Sequence, residues 1–367
     1  MNRCTKCLIP DTRPDTAFVD GVCSACISYE KRKETPWDIR RTHLNALLAH
    51  AREAKAPYDV VVPSSGGKDS HWQALTLKEM GVRVLAVTAT TCHLTPVGKH
   101  NIENLARHVP TIEVTPNMTV RRALNKRGLQ MVGDISWPEH AGIFSVPFRI
   151  AALMGIPLIF YGECPQEAYG GPLGSETAQR MDARWTSEFG GFLGLRPSDL
   201  ANGDTGITAE DMAHYRLPPP SEMAKVTAYF LGQFLPWDSQ RNAEVARDAG
   251  MMWQRPGPMN WWPYENLDCA LTGIHDYFMF AKYGYGRLCA QISVDIRRGA
   301  ITREDAYKVV QARDGAYPQF YLDISMAEIL RRIGMTVSEM MTIRDKFTNH
   351  SLFCREEEGR LILKEFE

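Results

Sequence analysis

The stretch that most constrains this 367-residue chain is a short β-branched run, Asp59-Val60-Val61-Val62. It leads directly into Pro63-Ser64-Ser65-Gly66-Gly67-Lys68-Asp69-Ser70 and then into a helical pattern. A strand with no polar alternation is buried on both faces, so helices must cover both sides of its sheet. Between strand and helix, paired glycines let the backbone close on a ligand. The resulting nest of amides, with the helix N-terminus behind it, holds an anion. Ser65 and Ser70 add hydroxyls, Lys68 adds a positive charge, and Asp69 offers a carboxylate to Mg²⁺. The order of residues is neither the Walker A pattern nor G-x-G-x-x-G.

The same alternation continues downstream. A helix is expected over 69–80, ended by Gly81, and a second strand over 83–87. Ile102, Leu105, Ala106 and Val109 share one helical face, and 111–114 reads as a third strand. A helix over 141–154 contains Pro147, which should kink or break it, and 157–161 reads as a fourth strand. Strands alternating with helices imply an α/β fold with a doubly wound parallel sheet and ligands at the carboxyl ends of its strands. Past Gly162 the chain turns to Gly, Pro and polar residues, consistent with loops that shape a substrate site. The remainder reads as mainly helical, with Thr302 and Ser325 as N-caps. The expected division is 1–35, 36–200 and 201–367.

The first segment, 1–35, is too poor in apolar residues to form a core. Four of the nine cysteines fall there, as Cys4-x2-Cys7 and Cys23-x2-Cys26. That spacing matches a structural zinc ribbon, in which two knuckles close a tetrahedron and leave no open position. A net charge of −1 lacks the basic excess of a nucleic-acid binder. No apolar run is long enough to span a bilayer, and the N-terminus has no secretory h-region. The expectation is a cytoplasmic protein with neither nucleic-acid nor membrane partners.

Ser65 to Ser70 resembles the SGGxDS loop of the PP-loop ATP-pyrophosphatase superfamily. Further motifs resemble the N-acetyl sugar amidotransferases of surface-polysaccharide and O-antigen (lipopolysaccharide) biosynthesis. They are Cys4 to Cys7 with Pro10 to Pro14, Leu94 to Gly98, Gly133 to His140, Gly162 to Gln166, Tyr169 to Pro172, Phe189 to Gly191, and His275 to Tyr277 with Lys282 to Gly284. The family more often has Asn where Cys164 stands, and Glu where Ala168 stands. The resemblance implies a PP-loop (HUP-like) fold, and ATP, Mg²⁺ and structural Zn²⁺ as cofactors. The ATP is held by Ser65, Gly66, Gly67, Lys68, Asp69 and Ser70, with adenine near Val87 and Thr88 and with Gly162 close by. It also implies a reaction in which ATP adenylates an acetamido oxygen on a nucleotide-linked sugar, releasing pyrophosphate. Ammonia then displaces AMP to leave an acetamidino group. No glutaminase domain is visible, so a HisH-like glutaminase and a HisF-like ammonia-delivering partner are expected.

Candidate catalytic residues are Lys68, Asp69, Glu163, Glu139 and His140. Glu163 follows the fourth strand and is placed either to hold Mg²⁺ or act as a base, or to fasten a loop. Glu139 and His140 are placed to orient sugar or move a proton, or to cap and pack. Tyr169, Gly170, Gly171, His275, Lys282 and Arg287 are candidate substrate contacts, although His275, Met279 and Lys282 also form a stripe typical of a core. Cys92 and Cys164 follow strands and fit either an active site or buried packing. Trp253, Trp261, Trp262 and Tyr264 fit either a base-stacking platform or a core. The competing functions are a PP-loop tRNA thiolase, another adenylating amide ligase, and a non-catalytic zinc-ribbon protein.

Overall fold

The computed structural model describes residues 1–162, 165, 169–173, 180–181, 190–201 and 206–366. A small hairpin, β1 (Phe18–Val19) and β2 (Val22–Cys23), precedes helices α1 (Ser24–Arg32) and α2 (Trp37–Glu53). The central sheet is built from β3 (Val60–Pro63), β4 (Val84–Ala89), β5 (Thr111–Val114), β6 (Leu158–Tyr161), β7 (Arg180–Met181) and β8 (Thr227–Phe230), in the order β5-β4-β3-β6-β8-β7. The five longer strands are parallel and β7 pairs antiparallel with β8. The chain winds outward from β3 through β4 to β5, then returns to the other side of β3 with β6. The end of β3 therefore lies at the switch in winding direction, where doubly wound sheets bind ligands. Reading the chain past Gly162 as loops and then helices missed β8. At four residues, Thr227–Phe230 is too short for periodicity to separate from a loop.

Strand alternation divides the core. Val60 and Val62 pack with Leu44, Leu48, Trp72 and Leu77 on one face of the sheet. Val61 packs with Phe144, Phe148 and Ile159 on the other. The first face is covered by α2 and α3 (Lys68–Glu79), the second by α6 (Trp137–Met154). Pro147 sits inside α6 without ending it. Between these lie α4 (Pro96–Ala106) and α5 (Met118–Val132). Thr95 caps α4 and Asn117 caps α5. Further on, α7 (Ser239–Asp248) lies against α3, and α8 (Thr272–Tyr283) and α9 (Arg287–Arg297) build the C-terminal helical region. Thr302 and Ser325 cap their helices by accepting from Asp305 and Glu328 amides. Among the described residues, no helix is long and apolar enough to cross a membrane.

The N-terminal segment borrows its core. Cys4, Cys7, Leu8 and Ile9 pack in one cluster with Tyr285, Leu288, Ile292 and Val310 of the C-terminal helices. Arg303 closes the knuckle by donating to the Cys7 carbonyl at 2.9 Å and the Cys4 carbonyl at 3.2 Å. The four sulfurs fit one tetrahedral ion. Cys4 and Cys26 sulfurs are 3.8 Å apart and those of Cys7 and Cys23 are 3.6 Å apart. A Zn²⁺ ion with about 2.3 Å bonds sets sulfur–sulfur edges of about 3.8 Å, whereas a disulfide requires about 2.05 Å. Cys7→Ser should therefore lower both zinc content and melting temperature, while Cys354→Ser, outside the cluster, should change neither. Zinc analysis with thermal melts checks this, and an unaltered melt for Cys7→Ser would contradict it.

Candidate functional site

The loop after β3 is fixed before any ligand arrives. Ser64 Oγ donates to Ser70 Oγ at 3.0 Å and accepts from the Gly66 amide at 3.0 Å. Gly67 is the N-cap of α3, which places Lys68 and Asp69 in its first turn. Gly66 has φ +77°, and a Cβ there would lie 2.7 Å from the Ile102 amide nitrogen of α4. Glycine is required twice over at this position, by conformation and by close approach.

Lys68 is almost wholly buried and lies between two carboxylates. Its ammonium is 2.6 Å from Asp69 Oδ2 and also bonds Glu265 Oε1. Asn242 of α7 donates to the other Asp69 oxygen at 3.3 Å, and Gln291 of α9 donates to Glu265 at 2.8 Å. Burial pushes the Asp69 carboxyl upward, against the pull of Lys68. Burial also opposes ionisation of Glu265, but Lys68 and Gln291 hold its carboxyl below the ordinary range. Residues distant in sequence thus converge on one loop lysine and its two carboxylates. The carboxylate pair also offers the hard oxygen donors that suit Mg²⁺.

Two cavities flank the loop. A polar one of about 200 Å³ is lined by the loop with Asn101, Tyr169, Glu265, Asp268 and Arg287. A more apolar one of about 300 Å³ runs along the carboxyl edge of the sheet, past Val87, Phe144, Tyr161, Gly162 and Phe230. Ser65, Gly67 and Asp69 line both. Thr88 is buried beside the second cavity's strand without lining it. Glu163 and Cys164 lie outside the described residues.

The other candidates separate. Arg287 faces the polar cavity from an ion pair with Asp276 at 3.0 Å. Tyr169 lines the same cavity, and its carbonyl accepts from Arg13. Gly171 is stapled to Ser24, whose hydroxyl donates to its carbonyl at 2.8 Å, and Gly170 has φ +92° against Thr16. These glycines fasten the cysteine-bearing segment beside the cavity. Glu139 is bound by Arg121 at 3.0 Å and Asn125 at 2.7 Å, and accepts from Thr91. His140 and His275 both turn toward Asp134, at 3.4 and 2.9 Å, and line neither cavity. Lys282 donates to the Val132 carbonyl at 2.7 Å and lies over Phe347, and burial lowers its pKa. Trp262 and Tyr264 are stacked and buried, and both tryptophan indoles at 261 and 262 donate to Asp295.

Sequence reasoning missed Glu265, Asp268, Asn242 and Asn101. Asp268 is presented to the polar cavity by the Leu94 to Gly98 motif. Thr95 N–H donates to the Asp268 carbonyl at 3.0 Å, and a Cβ on Gly98 would lie 2.5 Å from Asp268 Cα. That motif was the available signal, since Gly98 inside a helix implies close approach. Burial pushes the Asp268 carboxyl up to about 6 and the Cys92 thiol up to about 12. Cys92 is therefore protonated near neutral pH and a poor nucleophile.

Residues 259–365 match a family model described as "LPS biosynthesis protein WbpG-like, C-terminal domain". The chain carries a WbpG-like C-terminal domain. The matched segment supplies Glu265, Asp268, Arg287 and Gln291, the wall of the polar cavity opposite the loop. No curated protein matches the chain. Among solved structures, NMN synthetase from Francisella tularensis is similar at 13% identity, over 58% of this chain and 96% of that one, with a TM-score of 0.28. The fold assignment rests on the sheet order and not on that likeness.

Gly66→Ala should cost about 1–3 kcal/mol for its strained conformation and more again for the clash with Ile102. Gly81→Ala has a similar φ of +73° but meets no atom within 4 Å, so it should cost only about 1 kcal/mol. Urea unfolding of the pair isolates the clash with Ile102, and equal losses would contradict the close-approach argument.

Proposed function

We propose that this chain is an ATP-dependent, AMP- and pyrophosphate-forming amidotransferase. On this reading it converts an acetamido group of a nucleotide-linked sugar into an acetamidino group in lipopolysaccharide O-antigen biosynthesis. The observation that carries the reading is the glycine-rich loop set between an apolar cavity and a polar one, with Ser65, Gly67 and Asp69 lining both and Lys68 facing the polar one. An adenosine suits the apolar cavity at the sheet edge, which leaves the α-phosphate at the loop and the reacting acetamido group in the polar cavity. The WbpG-like match supports the polysaccharide setting.

An amide oxygen is a very poor leaving group until it is esterified. Its attack on the α-phosphorus forms an oxygen–phosphorus bond and expels pyrophosphate. Lys68 and the amides at the start of α3 counter the charge that develops there. Ammonia then adds to the imidate carbon, AMP departs with the former amide oxygen, and loss of a proton leaves the amidine. Asp268, raised to about 6 and facing the cavity, is placed to take that proton. Asp69 and Glu265 would hold Mg²⁺, which supplies charge neutralisation at the phosphates. Arg287 is placed to grip substrate phosphate. Ammonia is scarce near neutral pH, so we propose a separate HisH-like glutaminase and a HisF-like partner as its source. Full activity of the isolated chain with glutamine alone would refute that supply. Burial of the Cys92 thiol disfavours a thiolate role for that residue in the tRNA thiolase alternative.

Lys68→Ala and Asp69→Ala should keep fold and zinc but lose AMP formation by at least about 100-fold, the scale of one lost electrostatic group. Asp268→Asn should keep ATP binding and slow amidine formation. Assays with ATP, Mg²⁺, ammonium and UDP-diacetamido sugars read all three. Wild-type turnover in Lys68→Ala or Asp69→Ala would overturn the ATP-site assignment.

A further inference from the structure

Outside both cavities, three side chains with metal-binding atoms converge on one point. Asp134, His140 and His275 each offer one such atom, and the three lie within 4.8 Å of one another. Asp134 follows Gly133, the left-handed cap of α5, and His140 lies in α6, so a single turn between two helices delivers both. His275 arrives from α8, more than 130 residues away. Two of the three separations are fixed directly. Nδ1 of His275 is 2.9 Å from Asp134 Oδ1, and Nδ1 of His140 is 3.4 Å from Oδ2. Ligand bonds of about 2.1 Å, at angles between a right angle and a tetrahedral one, place donor atoms about 3.0–3.4 Å apart.

A carboxylate that merely orients two imidazoles is the competing account. It explains the contact to His275 by a hydrogen bond at 2.9 Å, and that to His140 by a looser ion pair at 3.4 Å that falls outside good hydrogen-bond geometry. A cation held between Asp134 and the two imidazoles would replace that loose pair with a bond. The rings meet edge-on at 83° with centroids 5.4 Å apart, which lets both Nδ1 atoms face one ion. Lys282, on the same helix as His275, directs its ammonium to the Val132 carbonyl. Gly191 also bears on the cluster, because a Cβ there would lie 2.7 Å from His140 Nδ1.

We infer that Asp134, His140 and His275 form a second metal site, of two-histidine-one-carboxylate type, for a borderline divalent ion of the Zn²⁺ class. It differs from the four-cysteine cluster in chemistry and in access. Four thiolates complete a tetrahedron, whereas three protein ligands leave a position open to a small ligand. Asp134 is 5% exposed and His140 and His275 are 27% and 22% exposed, while the His140 Nδ1 that would face the ion is buried. A run of contacts leads from the site toward the polar cavity. Glu139, next to His140, accepts from the Thr91 hydroxyl, which contacts Cys269 Sγ at 3.2 Å, and Asp268 beside it lines that cavity. The inference does not rest on the amidotransferase reading.

The test is a Co²⁺ titration of the metal-free full chain in excess Mg²⁺, which keeps Asp69 and Glu265 occupied. Two equivalents should bind. The first should show the intense sulfur-to-metal absorption of the cysteine cluster, and the second only the weaker bands of nitrogen and oxygen ligands. His140→Gln/His275→Gln should lose the second equivalent and keep the first. Uptake of a single equivalent by the wild type would overturn the site, as would a second equivalent that survives in the double variant. Should the double variant fold poorly, the wild-type spectrum after the sulfur site is filled decides alone.

Discussion

The site depends on one buried ammonium. Lys68 cannot remain charged in its nearly dry position without its two carboxylates, and removing a partner from such a pair costs about 3–5 kcal/mol. One carboxylate, Asp69, is its neighbour in the loop. The other, Glu265, belongs to the WbpG-like segment. Loop geometry is thereby tied to a region almost two hundred residues away, and neither region makes the polar cavity alone. On the proposed reading, a triphosphate entering here meets a lysine already desolvated and already paired with carboxylates. Binding then becomes an exchange of anionic partners instead of a fresh burial of charge, and preorganisation of that kind favours transition states over ground states.

The cysteine cluster serves the same end from outside. Its own segment has no core, so its sulfurs and the residues Leu8 and Ile9 complete a core with the C-terminal helices. The Tyr169 to Gly171 segment is then held against that assembly by Ser24 and Arg13. A metal held by the four cysteines would line neither cavity, yet it would help fix one edge of the cavity where chemistry is proposed.

Much of this was legible in the chain. Val60 to Val62 carried the two-sided burial, and the loop that follows carried the strand-to-helix turn with its required glycine, because both depend on local residue types. Thr302 and Ser325 were legible as caps for the same reason. What was not legible needed long-range placement. Glu265 and Asp268 sit in an aromatic stretch with no local pattern, and only the three-dimensional approach of α4, α7 and α9 shows what they face. Glu139 was legible only as an alternative, either orienting sugar and moving a proton or capping and packing, and the structure adds that Arg121 and Asn125 bind its oxygens. His140 and His275 read as separate candidates in sequence, and only Asp134 joins them.

The central claim is that the sugar's amide oxygen becomes part of AMP. The direct measurement uses a UDP-diacetamido sugar labelled with ¹⁸O in its acetamido carbonyls, with ATP, Mg²⁺ and ammonium, and mass spectrometry of the nucleotides. The account predicts one labelled oxygen in AMP for each amidine formed, with unlabelled pyrophosphate. Unlabelled AMP accompanying amidine formation, or release of ADP in its place, would contradict it.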